Sequence, residues 1–495
     1  MAVLAPRSIE TPWLRLRSLD ERTAWILLGM FWLVTRLIYL LNVMVGHHYP
    51  DVEFFTYAQS FSHGLLPYRD FQVEYPPLGI ALIVLPGLIH SGPLTPWGYG
   101  TSFALEMMAL DALTLFLVVR LAKKLIPSDP TGLISGLLYT GFVAASGAVA
   151  QKFDLVAGTL CLLALVAFIR RRDSLAWVML VAATLIKGFP LAIAPLFLMY
   201  RLMEGRAGYR SLYEGLRAAA LASMASLVPL VWMAGGVQPL VHAILYHVDR
   251  GTEIESMYSG VMLLAGRLLG LVTFSYANPA DLSQDIQSPL NSLVDTVATP
   301  LGLALIGLIY WQFYRALKAR PQDGNQALIR ASLLVLLAFI VTFRALPGHY
   351  LLAVLPLAAM VRFQGRRQTI FVCVLLGALL LGQLETVFWQ PLLVGAWSGI
   401  LTLVARNAAI LACFVVLFGG KLWGYIAPIV PATRLPAGPE SRASLGWAVE
   451  SGGRSWQEAP ALFNSYRQQS REREEMTPLR TAHHFYMNQQ RHRIM

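Results

Sequence analysis

Long apolar runs separated by short polar segments dominate the chain. A run of about 20 apolar residues can cross a bilayer as a helix, and twelve runs are predicted as spans. The predicted spans are 24–45, 98–120, 131–149, 154–169, 175–187, 190–201, 218–236, 293–314, 329–345, 350–361, 368–386 and 396–419. The pattern therefore predicts an all-α polytopic membrane protein with a transmembrane domain over residues 24–424.

The fifth, sixth and tenth of these spans are short. The break Lys187-Gly188-Phe189-Pro190 separates the fifth from the sixth. It predicts either a hairpin or a broken helix, and irregular backbone at membrane depth is tolerated where it lines a protein cavity.

Two long connections are predicted on the non-cytoplasmic side, residues 46–97 and 237–292. Each holds an apolar stretch too short to cross and return, Pro77 to Ile89 and Met257 to Phe274. We expect both stretches to lie as helices at the membrane interface. The alternative, an extra span, would invert every later loop and contradict the distribution of charge.

Composition excludes a soluble protein. The chain is 56% hydrophobic and 14% charged, with a mean hydropathy of +0.55, whereas soluble domains carry about 25% charged residues. The predicted cytoplasmic segments hold 31 of the 39 Lys and Arg residues, as the positive-inside rule requires. The net charge of +11 is thus mainly a topology signal, and no nucleic-acid partner is predicted.

An even number of spans places both termini on the same side, and the distribution of Lys and Arg makes that side the cytoplasm. The termini are the segment 1–23 and a polar tail, 425–495, which is rich in Pro, Gly and Ser and then in Gln, Arg and Glu. Such a composition predicts disorder. The three cysteines all fall in apolar runs, so neither a disulfide framework nor a cysteine metal site is predicted.

Charged residues near membrane depth are costly and point to function. Most of them collect at the predicted non-cytoplasmic ends of spans, which suggests a single polar cavity. The candidate site residues are these charged residues together with a neighbouring tyrosine and histidine: Asp51, Glu74, Tyr75, Lys152, Asp154, Lys187, Arg250, Arg344 and His349.

Structural alternatives exist for several charges. Lys152 and Asp154 could simply pair with each other, and Arg36 could pair with Asp111 across two spans. The adjacent His47 and His48 resemble a metal site, but neighbouring side chains in an extended segment point apart, so no metal is predicted. The chain has no GxxxxGK[ST] loop and no HExxH helix.

Several motifs resemble those of membrane-embedded GT-C glycosyltransferases. The resemblance is closest to the polyprenyl-phosphate-mannose-dependent mannosyltransferases of the glycosyltransferase 87 group, and it covers residues 24–362. The motifs are Asp51, Tyr57-Ala58, Gly64-Leu65-Leu66-Pro67-Tyr68-Arg69-Asp70-Phe71, Glu74-Tyr75-Pro76-Pro77-Leu78, Gln151-Lys152-Phe153-Asp154, Lys187-Gly188-Phe189-Pro190 and Arg250 with Glu253-Ile254-Glu255-Ser256.

The resemblance implies about seven shared N-terminal spans and two interfacial helices in the first outer loop, the second being Pro77–Ile89. It also implies inverting transfer of a sugar, mannose first, from a polyprenyl-phosphate donor to a lipid or glycan acceptor. The reaction would occur on the non-cytoplasmic face of the plasma (inner) membrane, as part of cell-envelope synthesis, with no cofactor. Asp51 corresponds to the catalytic acidic residue of the family. One departure is Leu346-Pro347-Gly348-His349-Tyr350, where His349 replaces an amide.

The chemistry assigns roles to the other candidates. Arg250, Lys187 and Arg344 are expected to contact the phosphate, for which arginine is well suited. The residues expected to contact the sugar or the acceptor are Glu74, Tyr75, Lys152, Asp154 and His349. The main alternative is a transporter or flippase of lipid-linked substrates, because broken helices and intramembrane charges also suit alternating access. Against it, the charges cluster at one face, and the chain shows no paired halves.

Overall fold

The protein is helical throughout the part of the chain that its computed structural model describes. The described residues are 19–46, 52–89, 94–249, 251–270, 284–286, 288–321, 324–363 and 365–419. Within them, β pairing is limited to two isolated bridges, so the predicted all-α class is confirmed there. The predicted tail, 425–495, lies outside the described residues.

Helices account for most of the described residues, and two of the α-helices are each directly preceded by a 3₁₀ helix. The 3₁₀ helices are Phe189–Ile193 and Gly348–Val354. In chain order the α-helices are α1 Glu21–Gly46, α2 Val52–Ser62, α3 Pro77–Leu88, α4 Pro96–Leu125, α5 Leu133–Ser146, α6 Asp154–Ile169, α7 Asp173–Ile186, α8 Ala194–Met203, α9 Arg206–Met233, α10 Gln238–Asp249, α11 Met257–Leu269, α12 Asn291–Ala319, α13 Gly324–Thr342, α14 Leu355–Ala358, α15 Arg366–Val387, α16 Trp389–Leu393 and α17 Trp397–Phe418.

Among the described helices, seven are long and apolar enough to cross a membrane. Each coincides with a predicted span. They are α1, α4, α9, α12, α13, α15 and α17.

The five other predicted spans coincide with shorter apolar helices of 10–17 residues. These are α5, α6, α7, the 3₁₀ helix with α8 over 189–203, and the 3₁₀ helix with α14 over 348–358. A helix of 14 residues is about 21 Å long, shorter than the apolar core of a bilayer of about 30 Å. The two stretches predicted at the interface are also helices, α3 and α11.

The break at Lys187 forms a hairpin, one of the two predicted alternatives. Lys187 has an extended backbone immediately after α7, and the chain then turns back through the 3₁₀ helix into α8. Arg201 in the last turn of α8 pairs with Asp173 in the first turn of α7, at 2.7 Å. The two helices therefore run antiparallel, and Lys187 lies at the closed end.

The predicted pairing of Arg36 with Asp111 is confirmed. The two side chains are 1% and 0% exposed, and Arg36 donates through Nε at 2.8 Å and through Nη2 at 3.1 Å. Tyr139 donates to the same carboxylate at 2.6 Å. These contacts join α1, α4 and α5, and because opposite charges and hydrogen bonds satisfy the buried groups, their role is structural.

Hydrogen bonds join helix ends at the end of the bundle opposite the closed end of the hairpin. Arg201 donates to the carbonyl oxygen of Phe168 at 2.8 Å, beside the C-terminal end of α6. Tyr200 donates to Asn325 at 3.0 Å, beside the start of α13. Since α6 ends here, its first residue lies at the other end of the bundle.

Gly158 of α6 allows close approach of the second 3₁₀ helix. A Cβ atom at this position would lie 2.1 Å from the carbonyl oxygen of Ala353. We expect Gly158→Ala to lower the free energy of unfolding by about 1–3 kcal/mol, because the two helices would have to separate. Chemical denaturation of the purified protein in detergent measures this change.

The matched control is Gly141→Ala in α5, where no atom lies within 4 Å of the added Cβ. Alanine favours helix over glycine by about 1 kcal/mol, so this variant should be as stable as the parent or more stable. Equal destabilisation by the two substitutions would contradict the close packing of α6 on the 3₁₀ helix.

Candidate functional site

A buried ion pair lies at the closed end of the hairpin. Asp154, the first residue of α6, is 1% exposed, and its Oδ1 lies 2.5 Å from Nζ of Lys187. The partner of Asp154 is therefore Lys187, and the alternative pairing with Lys152 is wrong. Lys152 instead places Nζ 5.6 Å from the ring centre of Phe54.

The first residues of the second 3₁₀ helix lie beside this ion pair. Nε2 of His349 lies 4.0 Å from Oδ2 of Asp154, and Nζ of Lys187 lies 3.8 Å from the ring centre of Tyr350. Lys187 is thus held between a carboxylate and an aromatic face, an arrangement that favours a buried cation. The structure brings three predicted site residues together here: Asp154, Lys187 and His349.

The first long connection reaches the same place through aromatic rings. The ring centre of Phe153 lies 5.6 Å from that of Phe54 in α2 and 5.4 Å from that of Tyr75. A Cβ at Gly79 in α3 would lie only 2.8 Å from the carbonyl oxygen of Ile186, the last residue of α7. The predicted site residues Lys152 and Tyr75 therefore border the buried ion pair.

Glu74 faces a tyrosine of α2. The hydroxyl of Tyr57 donates to its Oε2 at 2.6 Å, and the Tyr57 ring stacks on Phe71 at 5.7 Å. Burial, reinforced by the negative charge of Glu74, holds the pKa of Tyr57 well above its usual range. Tyr57 thus keeps its hydroxyl proton and remains a hydrogen-bond donor at neutral pH. The half-buried carboxylate of Glu74 beside aromatic rings can bind sugar hydroxyls.

Arg344 contacts two other segments of the chain. Its guanidinium pairs with Asp295 near the start of α12, and its carbonyl oxygen accepts the N–H of Glu253 at 3.0 Å. The backbone of Arg344 is therefore joined to the segment after α10, and its side chain to α12. Two other predicted site residues, Asp51 and Arg250, lie outside the described residues.

A second polar cluster was not predicted as part of the site. Arg406 of α17 is fully buried and lies 3.1 Å from Oε1 of Glu255 and 2.6 Å from Oε2 of Glu385. Two sequence signals bear on it: the cost of an arginine within an apolar span, which demands a partner, and the presence of Glu255 in the motif Glu253-Ile254-Glu255-Ser256. The cluster borders the turn that carries His349.

No group of three or more His, Cys, Asp and Glu side chains arranged to hold a metal ion occurs among the described residues. His47 and His48, which resembled a metal site, lie outside them. The described site can supply cations, carboxylates and aromatic faces at one end of an apolar bundle.

No protein-family model matches this sequence, and no curated protein matches it either.

Proposed function

We propose that this chain is a membrane glycosyltransferase of the GT-C type. It would move a sugar, with mannose the first candidate, from a polyprenyl-phosphate donor to a lipid or glycan acceptor. The observation that carries the proposal is the convergence of Asp154, Lys187 and His349 with the aromatic residues of the first long connection. A polar site at one end of a bundle of apolar helices suits a substrate with a charged head and a lipid tail.

The reaction needs little from the protein. The acceptor oxygen forms a bond to the anomeric carbon as the bond from that carbon to the phosphate oxygen breaks, with inversion. The acceptor proton passes to a carboxylate base, for which Asp51 is the candidate. The polyprenyl phosphate leaves with the bonding electrons, and because it is already a good leaving group it requires no nucleotide and no general acid.

Fixed cations stabilise the departing phosphate. Arg250, Arg344 and Lys187 are the candidates. The ammonium of Lys187 is already paired with Asp154. A phosphate bound at Lys187 would compete with Asp154 for the same ammonium group. We therefore expect Lys187 mainly to hold the side chain of Asp154 in place. Glu74, Tyr75, Lys152, Asp154 and His349 remain the candidates for contacts to the sugar or the acceptor.

The same proposal specifies the placement in the membrane. Seven long and five shorter helical segments would make twelve crossings, with α3 and α11 at the interface. The end with Arg201 and its neighbours would face the cytoplasm, together with both termini, since basic loops stay on that side. The site would then face the non-cytoplasmic side of the plasma (inner) membrane.

The test is a transfer assay on the purified full-length protein in detergent. Radiolabelled polyprenyl-phosphate-mannose is the donor, a membrane-lipid extract is the acceptor, and donors carrying glucose and pentose run in parallel. We expect labelled product with at least one donor, and heat-inactivated protein gives the background. Absence of product with all three donors would contradict the proposal.

The buried charges at the closed end of the hairpin also suit a transporter of lipid-linked substrates. The second candidate function is tested by incorporating the protein into liposomes that carry the labelled lipid. Movement of unmodified lipid across the bilayer, without labelled product, would favour transport over transfer.

A further inference from the structure

Arg406 holds one side of the turn that carries His349. It donates through Nη2 to the carbonyl oxygens of Glu255 and, at 3.4 Å, of Leu346. A Cβ at Gly348 would lie 3.5 Å from Nη1 of Arg406. The guanidinium therefore packs directly against the turn.

Glu255 extends this anchor to the middle of the turn. Its Oε1, the atom that pairs with Arg406, also accepts the N–H of Gly348 at 3.1 Å. The next residue is His349, whose ring faces Asp154. The turn is thus fixed on one side by Arg406 with Glu255 and on the other by the buried ion pair at Asp154.

We propose that Arg406 is a positioning residue: acting through Glu255, it fixes the turn 346–350 and so sets His349 against Asp154. Arg406 touches neither of these two groups. Its planar fork of donors binds two carboxylates and the backbone at once, which a lysine ammonium on a flexible chain cannot reproduce. The geometric claim stands on the described contacts alone, while its consequence for catalysis rests on the proposed function.

Hydrogen–deuterium exchange of the backbone amides tests the geometric claim without any activity. In Arg406→Lys we expect the amides of the turn 346–350 to exchange about tenfold faster, because the hydrogen bond of Gly348 opens more often. The matched control is Arg201→Lys. Arg201 is 1% exposed and binds two carboxylates and a carbonyl oxygen, but it lies at the other end of the bundle.

Transfer kinetics test the consequence. We expect Arg406→Lys to lower kcat by about 10²-fold with little change in KM, since a displacement of about 1 Å in a group that orients the substrate has an effect of this size. Arg201→Lys should keep kcat near that of the parent, even if it lowers thermal stability as much as Arg406→Lys does. If Arg406→Lys fails to fold, Glu255→Gln is the second variant, because it keeps the acceptor for Gly348 and loses the charge.

The outcomes are distinct. Unchanged exchange in the turn, or equal exchange in the two lysine variants, would overturn the proposal, as would a loosened turn with kcat unchanged. A loosened turn in a protein whose parent form transfers no sugar would support the positioning role and refute the proposed function.

Discussion

Replacing Asp154 with asparagine is expected to lower the free energy of unfolding by about 3–5 kcal/mol. The substitution removes the carboxylate that lies 2.5 Å from Lys187. Lys187 is only 8% exposed, so its ammonium would remain buried without this counter-charge. Denaturation of the purified variant in detergent, followed by tryptophan fluorescence, measures the loss.

A double-mutant cycle separates the ion pair from other effects of the substitution. Asp154→Asn combined with Lys187→Met should lose less stability than the sum of the two single variants, because neither charge is then left alone. The control is the exposed pair Arg210 and Glu214, which are 87% and 55% exposed at 3.2 Å. Its removal should change stability by about 0.5 kcal/mol or less, and additive losses at Asp154 and Lys187 would contradict a buried pair.

The helices could be predicted because their signal is local. A run of apolar residues fixes the presence of α1 or α4 from its length alone, and a shorter run indicated α3. The ends of a helix were less predictable where its terminal turns contain charged residues. Helix α9 begins at Arg206, before the predicted start at 218, because a helix continues beyond the apolar core where hydropathy falls. The mixed sequence of α10 gave no apolar run, so that helix was not predicted.

The sequence indicated which residues belong to the site better than it indicated which of them form ion pairs with each other. Charges in apolar surroundings marked Asp154 and Lys187 separately, but they are 33 residues apart, and Glu255 is 151 residues from Arg406. No local pattern specifies such partners, because they meet only when the helices pack. The adjacent Lys152 was therefore a reasonable alternative for Asp154 from the sequence, and the packing of α7 on α6 decided against it.

Replacing Asp51 with asparagine is expected to reduce transfer by about 10²–10⁴-fold, the usual contribution of a general base. Asp51 directly precedes α2 in the sequence. This helix packs against the candidate site, since the ring centre of Phe54 lies 5.6 Å from that of Phe153, beside Asp154. Asparagine matches the size of aspartate but cannot take the proton of the acceptor hydroxyl. Folding and donor binding should therefore be nearly unchanged.

The experiment compares kcat, KM and donor binding for the parent, Asp51→Asn and a control in the same connection. The control is Asp70→Asn, because the carboxylate of Asp70 binds Arg69 and the N–H of Leu66 within its own loop. Loss of those bonds should reduce transfer by less than about tenfold. The base assignment requires a fall in kcat specific to Asp51→Asn with donor affinity retained. A kcat equal to that of the parent would remove Asp51 from the mechanism, and another carboxylate would then have to accept the proton.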